Sequence, residues 1–237
     1  MPVRAILFDK DGTLVDIQAT LGPATCDVLA RLSAGDPALY GRLARVTHVD
    51  TAARRLEPGC PVISEATGVY GALWAEALGR PFTPDFAAEI DRLFLAATLE
   101  HLHSIGDPRG VLTTLAEHDY PLGIMTNDAE ANTWAQLRRL RIDHMLAFVA
   151  GYDSGVGQKP DAAPVLAFAS AVGVAPGEVV VVGDSPHDLI AARAASAVAV
   201  GVLSGPTPRD ALEPHADALI PSIAELADWL CSNVPQR

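Results

Sequence analysis

Residues 6–16, Ile-Leu-Phe-Asp-Lys-Asp-Gly-Thr-Leu-Val-Asp, constrain what this chain can fold into more than any other stretch. The apolar run at residues 3–8 reads as a strand buried in a parallel sheet, and Gly12 lets the chain turn sharply just beyond it. Asp9 and Asp11 then stand at the strand's carboxyl end, where open α/β sheets bind ligands. Alternate side chains leaving a strand point to the same side, so the two acids can converge on one substrate. One can attack while the other handles protons. Taken alone, the same Asp-x-Asp-Gly string also describes a solvated turn with a calcium-loop flavour, and the rest of the chain must decide.

A chain of 237 residues, 49% of them hydrophobic, can bury a full core. Between residue 15 and about residue 105 no stretch reads as a convincing strand. Residues 24–32, 37–56, 64–78 and 84–103 carry apolar side chains three and four apart, the mark of amphipathic helices. Gly35-Asp36-Pro37, Glu57-Pro58-Gly59 and Gly79-Arg80-Pro81 punctuate them, while Ser64-Glu65 and Thr83-Pro84 open helices. After Gly106-Asp107-Pro108 the pattern changes. Helices are expected over 109–118, 130–140, 162–172, 187–195 and 222–230, and strands over 121–126, 146–150, 178–182, 197–203 and 218–220. Such alternation implies βαβ units with right-handed crossovers. The expected fold class is α/β: a doubly wound parallel-sheet, Rossmann-like core of residues 1–16 and 106–237, with an α-helical domain of residues 17–105 inserted after the first strand.

Three further strand ends carry chemistry. Met125 runs into Thr126-Asn127-Asp128, a hydroxyl and an amide ahead of a helix whose first turn presents unpaired N–H groups and a positive dipole end. Gly157-Gln158-Lys159-Pro160-Asp161 sets a lysine before another helix. Four successive valines, 179–182, end in Gly183-Asp184-Ser185-Pro186-His187-Asp188, two acids one helical turn apart that can share a cation. Each string alone also fits a blander role: a helix cap, an exposed lysine, an N-cap. Those roles are independent, and chance would have to set phosphate- or metal-competent residues at four junctions of one sheet.

In order, spacing and content the four sites resemble the motifs of the haloacid dehalogenase-like hydrolase superfamily. Phe8-Asp9-Lys10-Asp11-Gly12-Thr13-Leu14 is similar to its first motif, Met125-Thr126-Asn127 to its second, Lys159-Pro160 to its third and Gly183-Asp184-Ser185-Pro186-His187-Asp188 to its fourth. The helical insert between the first and second motifs resembles the subclass with an α-helical cap, to which phosphoglycolate phosphatases belong. The resemblance implies that Asp9 attacks phosphorus to form an aspartyl-phosphate, and that Asp11 protonates the leaving oxygen and then activates water. It implies Mg²⁺ held by Asp9, the Asp11 backbone carbonyl and Asp184, with Asp188 close by, since a carboxylate meeting a phosphate dianion needs a bridging cation. Thr126, Asn127 and Lys159 would hold the equatorial oxygens.

Dehalogenases of this superfamily lack the second acid of the first motif, which is present here as Asp11, and phosphonate-cleaving relatives use a cap lysine, whereas the only lysines of this chain are Lys10 and Lys159. The expected activity is therefore a Mg²⁺-dependent phosphatase acting on a small, phosphoglycolate-like monoester. A pyrophosphatase, a sugar-phosphate mutase and a catalytically idle phospholigand-binding protein are the alternatives. Arg45, His48, Arg54, Arg55 and the turn at 57–64 are the candidate substrate contacts of the insert, each also readable as an exposed face. Asp16 and Val15 lead into the insert, in a structural or hinge role. Lys10 replaces the apolar residue common in the family; by strand alternation it should point away from the chemistry, into a structural ion pair. His187 reads as a capping or surface residue.

A net charge of -12 argues against a nucleic-acid surface, so a phosphorylated substrate must be drawn in by local positive groups or a bound cation. Cys26, Cys60 and Cys231 are far apart and form no Cys-x-x-Cys, which predicts buried, reduced thiols. The first residues show no signal-like stretch, and no apolar run free of Pro and Gly is long enough to span a bilayer. The expectation is a cytoplasmic monomer or homodimer whose partner is a small phosphorylated metabolite, with no nucleic-acid or membrane partner.

Overall fold

The structure, a computed structural model, describes residues 3–233. In chain order the elements are β1 (Ala5–Phe8), α1 (Ile17–Leu32), α2 (Pro37–Val46), β2 (Val49–Asp50), β3 (Arg55–Leu56), α3 (Thr67–Ala77), α4 (Pro84–Glu100) and α5 (Pro108–Glu117). There follow β4 (Leu122–Met125), α6 (Glu130–Leu140), β5 (Leu146–Ala150), α7 (Ala163–Ala171), β6 (Val179–Gly183), α8 (Pro186–Ala194), β7 (Val198–Val202), α9 (Arg209–Leu212), β8 (Ala218–Ile220) and α10 (Leu226–Asn233). The chain divides into two compact units, Met1–Val15 with Ser104–Arg237, and Asp16–His103. Residues 1, 2 and 234–237 of the expected core lie outside the described residues.

The first unit is a six-stranded parallel sheet in the order β5-β4-β1-β6-β7-β8. β1 lies at its centre, Phe8 standing opposite Ile124 of β4 on one side and Val182 of β6 on the other. The chain steps outward from β1 through β4 to β5, then crosses to β6 and steps outward the other way. That reversal is the doubly wound order, and it puts the ligand crevice at the carboxyl ends of β1 and β6. Side-chain alternation divides the core cleanly. Ile6, Phe8, Val180, Val182, Val200 and Val202 pack on one face with Leu112, Leu115 and Leu137, whereas Ala5, Leu7, Val179, Val181 and Ala199 pack on the other with Val165, Phe168 and Leu189.

The second unit is built on α1, α3 and α4, with Trp74, Leu29, Leu43 and Ile90 wholly buried and Tyr70, Trp74 and Phe94 in mutual ring contact. Its helix starts follow capping chemistry: Asp16, Asp36 and Thr83 accept from the backbone N–H groups of Ala19, of Ala38 and Leu39, and of Phe86. Three expectations fail here. Residues 37–56 are not one helix, because α2 stops at Val46, His48 takes the left-handed conformation at φ 56°, and an antiparallel β2–β3 hairpin follows. Asp50 turns that hairpin by accepting from Ala52 and Ala53 N–H, and the Gln18 amide brackets both backbone groups of Leu56. The first helix begins at Ile17 rather than residue 24, its cap being Asp16, with Pro23 inside it. Helix α3 likewise starts at Thr67, beyond the expected Ser64-Glu65. Cys26 and Cys60 are buried thiols, but Cys231 is exposed on α10. No helix among the described residues is long and apolar enough to cross a membrane.

Candidate active site

The crevice at the ends of β1 and β6 gathers buried charge. Asp9 leaves β1 with its backbone N–H still bonded to Val182 O, at 2.8 Å. Asp184 leaves β6, and Asp188 sits in the first turn of α8, where its Oδ2 accepts from Ser185 N and Oγ at 3.0 and 2.7 Å. Asp9, Asp184 and Asp188 are 3%, 3% and 0% exposed, and ligand oxygens of the three lie within 4.8 Å of one another. Lys159 joins two of them, its Nζ donating to Asp9 Oδ1 at 2.5 Å and to Asp188 Oδ1 at 2.6 Å.

One ammonium does not balance three buried carboxylates. Burial pushes the Asp9 carboxyl up to about 7, Lys159 pulling against it while Asp188 and Asp11 add to the rise. Asp184 is raised well above the usual carboxylate range by burial and then by Asp9 and Asp188. Against the burial that works to lower it, Asp188 and Asp9 hold the Lys159 ammonium above its ordinary range. Asp9 Oδ2 is buried and has no hydrogen-bond partner among the described residues. An orphaned carboxylate oxygen within a trio of buried acids is the donor set of a hard divalent cation, and the residues fit one. A second grouping of Asp27, Glu100 and His101 in the helical unit does not compare: it is partly exposed, and Asp27 already pairs with Arg54 and His101.

The turn after β1 is shaped by close approach. Gly12 has φ 88°, its N–H donates to Val15 O at 2.7 Å, and a Cβ on it would overlap the Asp184 carboxylate. Asp11 is part-buried at the start of that turn and lies beside Lys10, whose Nζ is 2.9 Å from Oδ1 and 2.7 Å from Oδ2. Thr13 is wholly buried. Thr126, at the end of β4, accepts from Asp128 N through its Oγ1 at 3.1 Å. Asn127 is bonded to the Lys159 backbone at both ends of its amide, donating to Lys159 O and accepting from Lys159 N at 3.1 Å each. It thereby couples the β4 end to the loop that carries Lys159. His187 is half-buried on α8 with an unpartnered, buried Nδ1 among the described residues.

Of the sequence-derived candidates, Asp9, Asp184, Asp188 and Lys159 meet directly, Asn127 meets Lys159, and Asp11 is held by Lys10. In the helical unit Arg45, His48 and Arg55 are exposed, while Arg54 is engaged by Asp27 Oδ1 at 2.7 Å and Pro23 O at 2.9 Å. Sequence reading missed two parts of the site. The loop after β7 brings Ser204 Oγ to Gly12 O at 2.8 Å and Gly205 so close that a Cβ there would overlap Asp184. The Lys10 acceptors Asp128 and Gln136, with Asn132 linking them, lie four residues apart along α6 and its approach, a spacing that puts them on one helix face.

A family model described as haloacid dehalogenase-like hydrolase matches residues 3–196. The phosphoglycolate phosphatase of Rhodospirillum rubrum is 31% identical over 241 residues, covering 96% of this chain and 90% of that protein. Two solved structures share the fold: a predicted phosphoglycolate phosphatase from Haemophilus somnus 129pt, at TM-score 0.69 and 21% identity over 96% of this chain and 97% of that one, and a putative beta-phosphoglucomutase from Thermotoga maritima, at TM-score 0.67 and 22% identity over 98% and 100%.

Proposed function

The chain belongs to the haloacid dehalogenase-like hydrolases and is a phosphoric monoester hydrolase, and we propose that it uses Mg²⁺ and an aspartyl-phosphate to hydrolyse a small, phosphoglycolate-like ester. The observation that carries this reading is Asp9: a buried carboxylate at the central strand's end, one oxygen held by Lys159 and the other without a partner among the described residues.

In the first half-reaction the Asp9 carboxylate attacks phosphorus while the bond from phosphorus to the leaving oxygen breaks. Asp11 gives its proton to that oxygen, releasing the alcohol. In the second, Asp11 takes a proton from water as the water oxygen attacks the phosphorus of the aspartyl-phosphate. Inorganic phosphate leaves and Asp9 is restored. Lys159 and Thr126 face the equatorial oxygens, where charge stabilisation matters most. Asn127 keeps the Lys159 backbone in register. Asp9, the Asp11 carbonyl and Asp184 would hold Mg²⁺ beside Asp188, and the cation's chemistry is to neutralise the repulsion between carboxylate and phosphate dianion. Selection of the ester's organic part falls to the helical unit inserted after β1.

The test is phosphate release from a panel of small phosphomonoesters, phosphoglycolate among them, with and without Mg²⁺. Metal-dependent release with phosphoglycolate among the best substrates is expected. Folded protein that releases no phosphate from any ester, or does so equally well without a divalent cation, overturns the reading.

A further inference from the structure

Lys10 was expected to turn away from the chemistry, yet its ammonium lies on the side chain of Asp11. The side chain is 0% exposed, and its Nζ meets Asp11, Asp128 Oδ2 at 3.0 Å and Gln136 Oε1 at 2.9 Å. Three N–H donors meet three acceptor side chains, which is the full capacity of an ammonium. The acceptors are themselves tied. Gln136 Nε2 donates to Asn132 Oδ1 at 3.1 Å, Asn132 Nδ2 donates to Asp128 Oδ2 at 2.6 Å, and Asp128 Oδ1 accepts from Ala129 N at 2.8 Å. Lys10 is thus clamped to α6 and the residues leading into it on one side and grips Asp11 on the other.

A buried ammonium is a poor filler. An apolar side chain of similar volume holds a core as well or better, because it avoids desolvating a charge. What an apolar residue cannot do is fix the direction of the neighbouring carboxylate. The backbone around Asp11 is already set by the turn, in which Leu14 N and Val15 N both donate to Lys10 O. The Lys10 contact adds restraint at the side chain. Each lysine in the chain therefore serves one acid of the first motif: Lys159 meets Asp9, and Lys10 meets Asp11.

We propose that Lys10, clamped by Asp128 and Gln136, is a positioning residue that aims the Asp11 carboxyl for its two proton transfers. This rests on the reading of Asp9 as nucleophile and Asp11 as acid and base. The leaving group separates a positioning role from a merely structural one. An alkoxide needs the Asp11 proton as its bond to phosphorus breaks, whereas 4-nitrophenolate leaves without one.

The experiment compares wild type with Lys10→Met across phosphomonoesters ranging from alkyl to 4-nitrophenyl, with kcat/KM, pre-steady-state nitrophenolate release and thermal melts measured on each protein. The expected result is a loss of about ten- to a hundredfold on alkyl esters, the scale of a misaimed acid. The nitrophenolate burst should stay within about threefold of wild type, followed by slower steady turnover because dephosphorylation of Asp9 by water also needs Asp11. An equal fall across the whole series, or no fall on alkyl esters, overturns the proposal. If Lys10→Met does not fold, Gln136→Met removes one anchor and leaves Lys10 and Asp11 in place; it should show the same dependence on leaving group at smaller amplitude, and a uniform effect there is equally fatal. Wild type that releases phosphate from no ester refutes the parent reading, whereas an active wild type with unchanged leaving-group dependence in the variants refutes Lys10 alone.

Discussion

The two units of this chain treat charge in opposite ways. In the sheet unit, ionisable side chains are buried or part-buried against one another: Asp9 and Asp188 on Lys159 with Asp184 close by, and Asp11 and Asp128 on Lys10. In the helical unit the buried polar side chains are neutral hydroxyls, among them Thr47, whose Oγ1 donates to Leu43 O and accepts from Trp74 Nε1. Its ion pairs, Arg54 with Asp27 and Arg80 with Glu89, lie in the open. The Asp9 and Asp184 carboxyls in the first unit are pushed up by burial, whereas Asp27 in the second, against the desolvation that raises it, is pulled down by Arg54 and His101. Charge gathered at the proposed site is held where it costs stability; charge paired on the helical unit's surface stays wet.

The comparison is sharpest where one cation is removed from each unit. Lys159→Met should strand two buried carboxylates, destabilising the protein by about 3–5 kcal/mol and lowering kcat/KM by about a hundredfold or more. Chemical denaturation and steady-state kinetics measure both, and a change below about 1 kcal/mol would break the contrast.

pH supplies the next test. A carboxyl whose folded-state pKa is about 7 against an ordinary 3.8 keeps a proton that the unfolded chain gives up between those values. Its contribution to stability is present below about pH 4 and is lost as pH rises toward 7. Asp9→Asn, neutral throughout, should therefore gain Tm over metal-free wild type as pH climbs through that window, and Mg²⁺ should raise the wild-type Tm more at the upper end than at the lower. A constant difference between the two proteins across the window would show that Asp9 is not strained by its burial.

Gly205→Ala sets a methyl group against the Asp184 carboxylate. It should weaken Mg²⁺ binding by about tenfold, read as the metal concentration that half-shifts the melting curve, with the metal-free protein still folded. The smallest effect is expected in the helical unit. Arg54→Met removes an exposed pair with Asp27 and should change stability by less than about 1 kcal/mol.

Legibility in the sequence followed the same division. Helix α6 and strands β5 and β8 have the bounds expected of them, because Trp134, Leu137 and Leu140 recur at helical spacing in α6 and the two edge strands are short, distinct apolar runs. Three of the site's strand ends were visible because Asp9, Thr126 and Asp184 follow directly on the apolar runs of β1, β4 and β6, whereas Lys159 lies in a loop well beyond β5. The β2–β3 hairpin was not, since two-residue strands have no period to detect and the turn depends on Asp50 and on left-handed His48 and Arg54. Helix α1 was cut short because Pro23 reads as a break, although Asp16 caps a helix that runs through it. The partners of Lys10 and the approach of Gly205 to Asp184 are long-range facts, 126 residues separating Lys10 from Gln136. Only the four-residue spacing of Asp128, Asn132 and Gln136 hinted at a shared polar face.

The central claim, that the buried and half-orphaned carboxylate of Asp9 is the nucleophile, is tested most directly by rapid acid quench during turnover, followed by peptide mass analysis. The account predicts a transient phosphoryl group on the peptide that contains Asp9 in wild type, and none in Asp9→Asn, whose phosphate release should fall by about a thousandfold or more. Steady phosphate release with no phosphorylated protein, or a phosphoryl group on any residue other than Asp9, would contradict it.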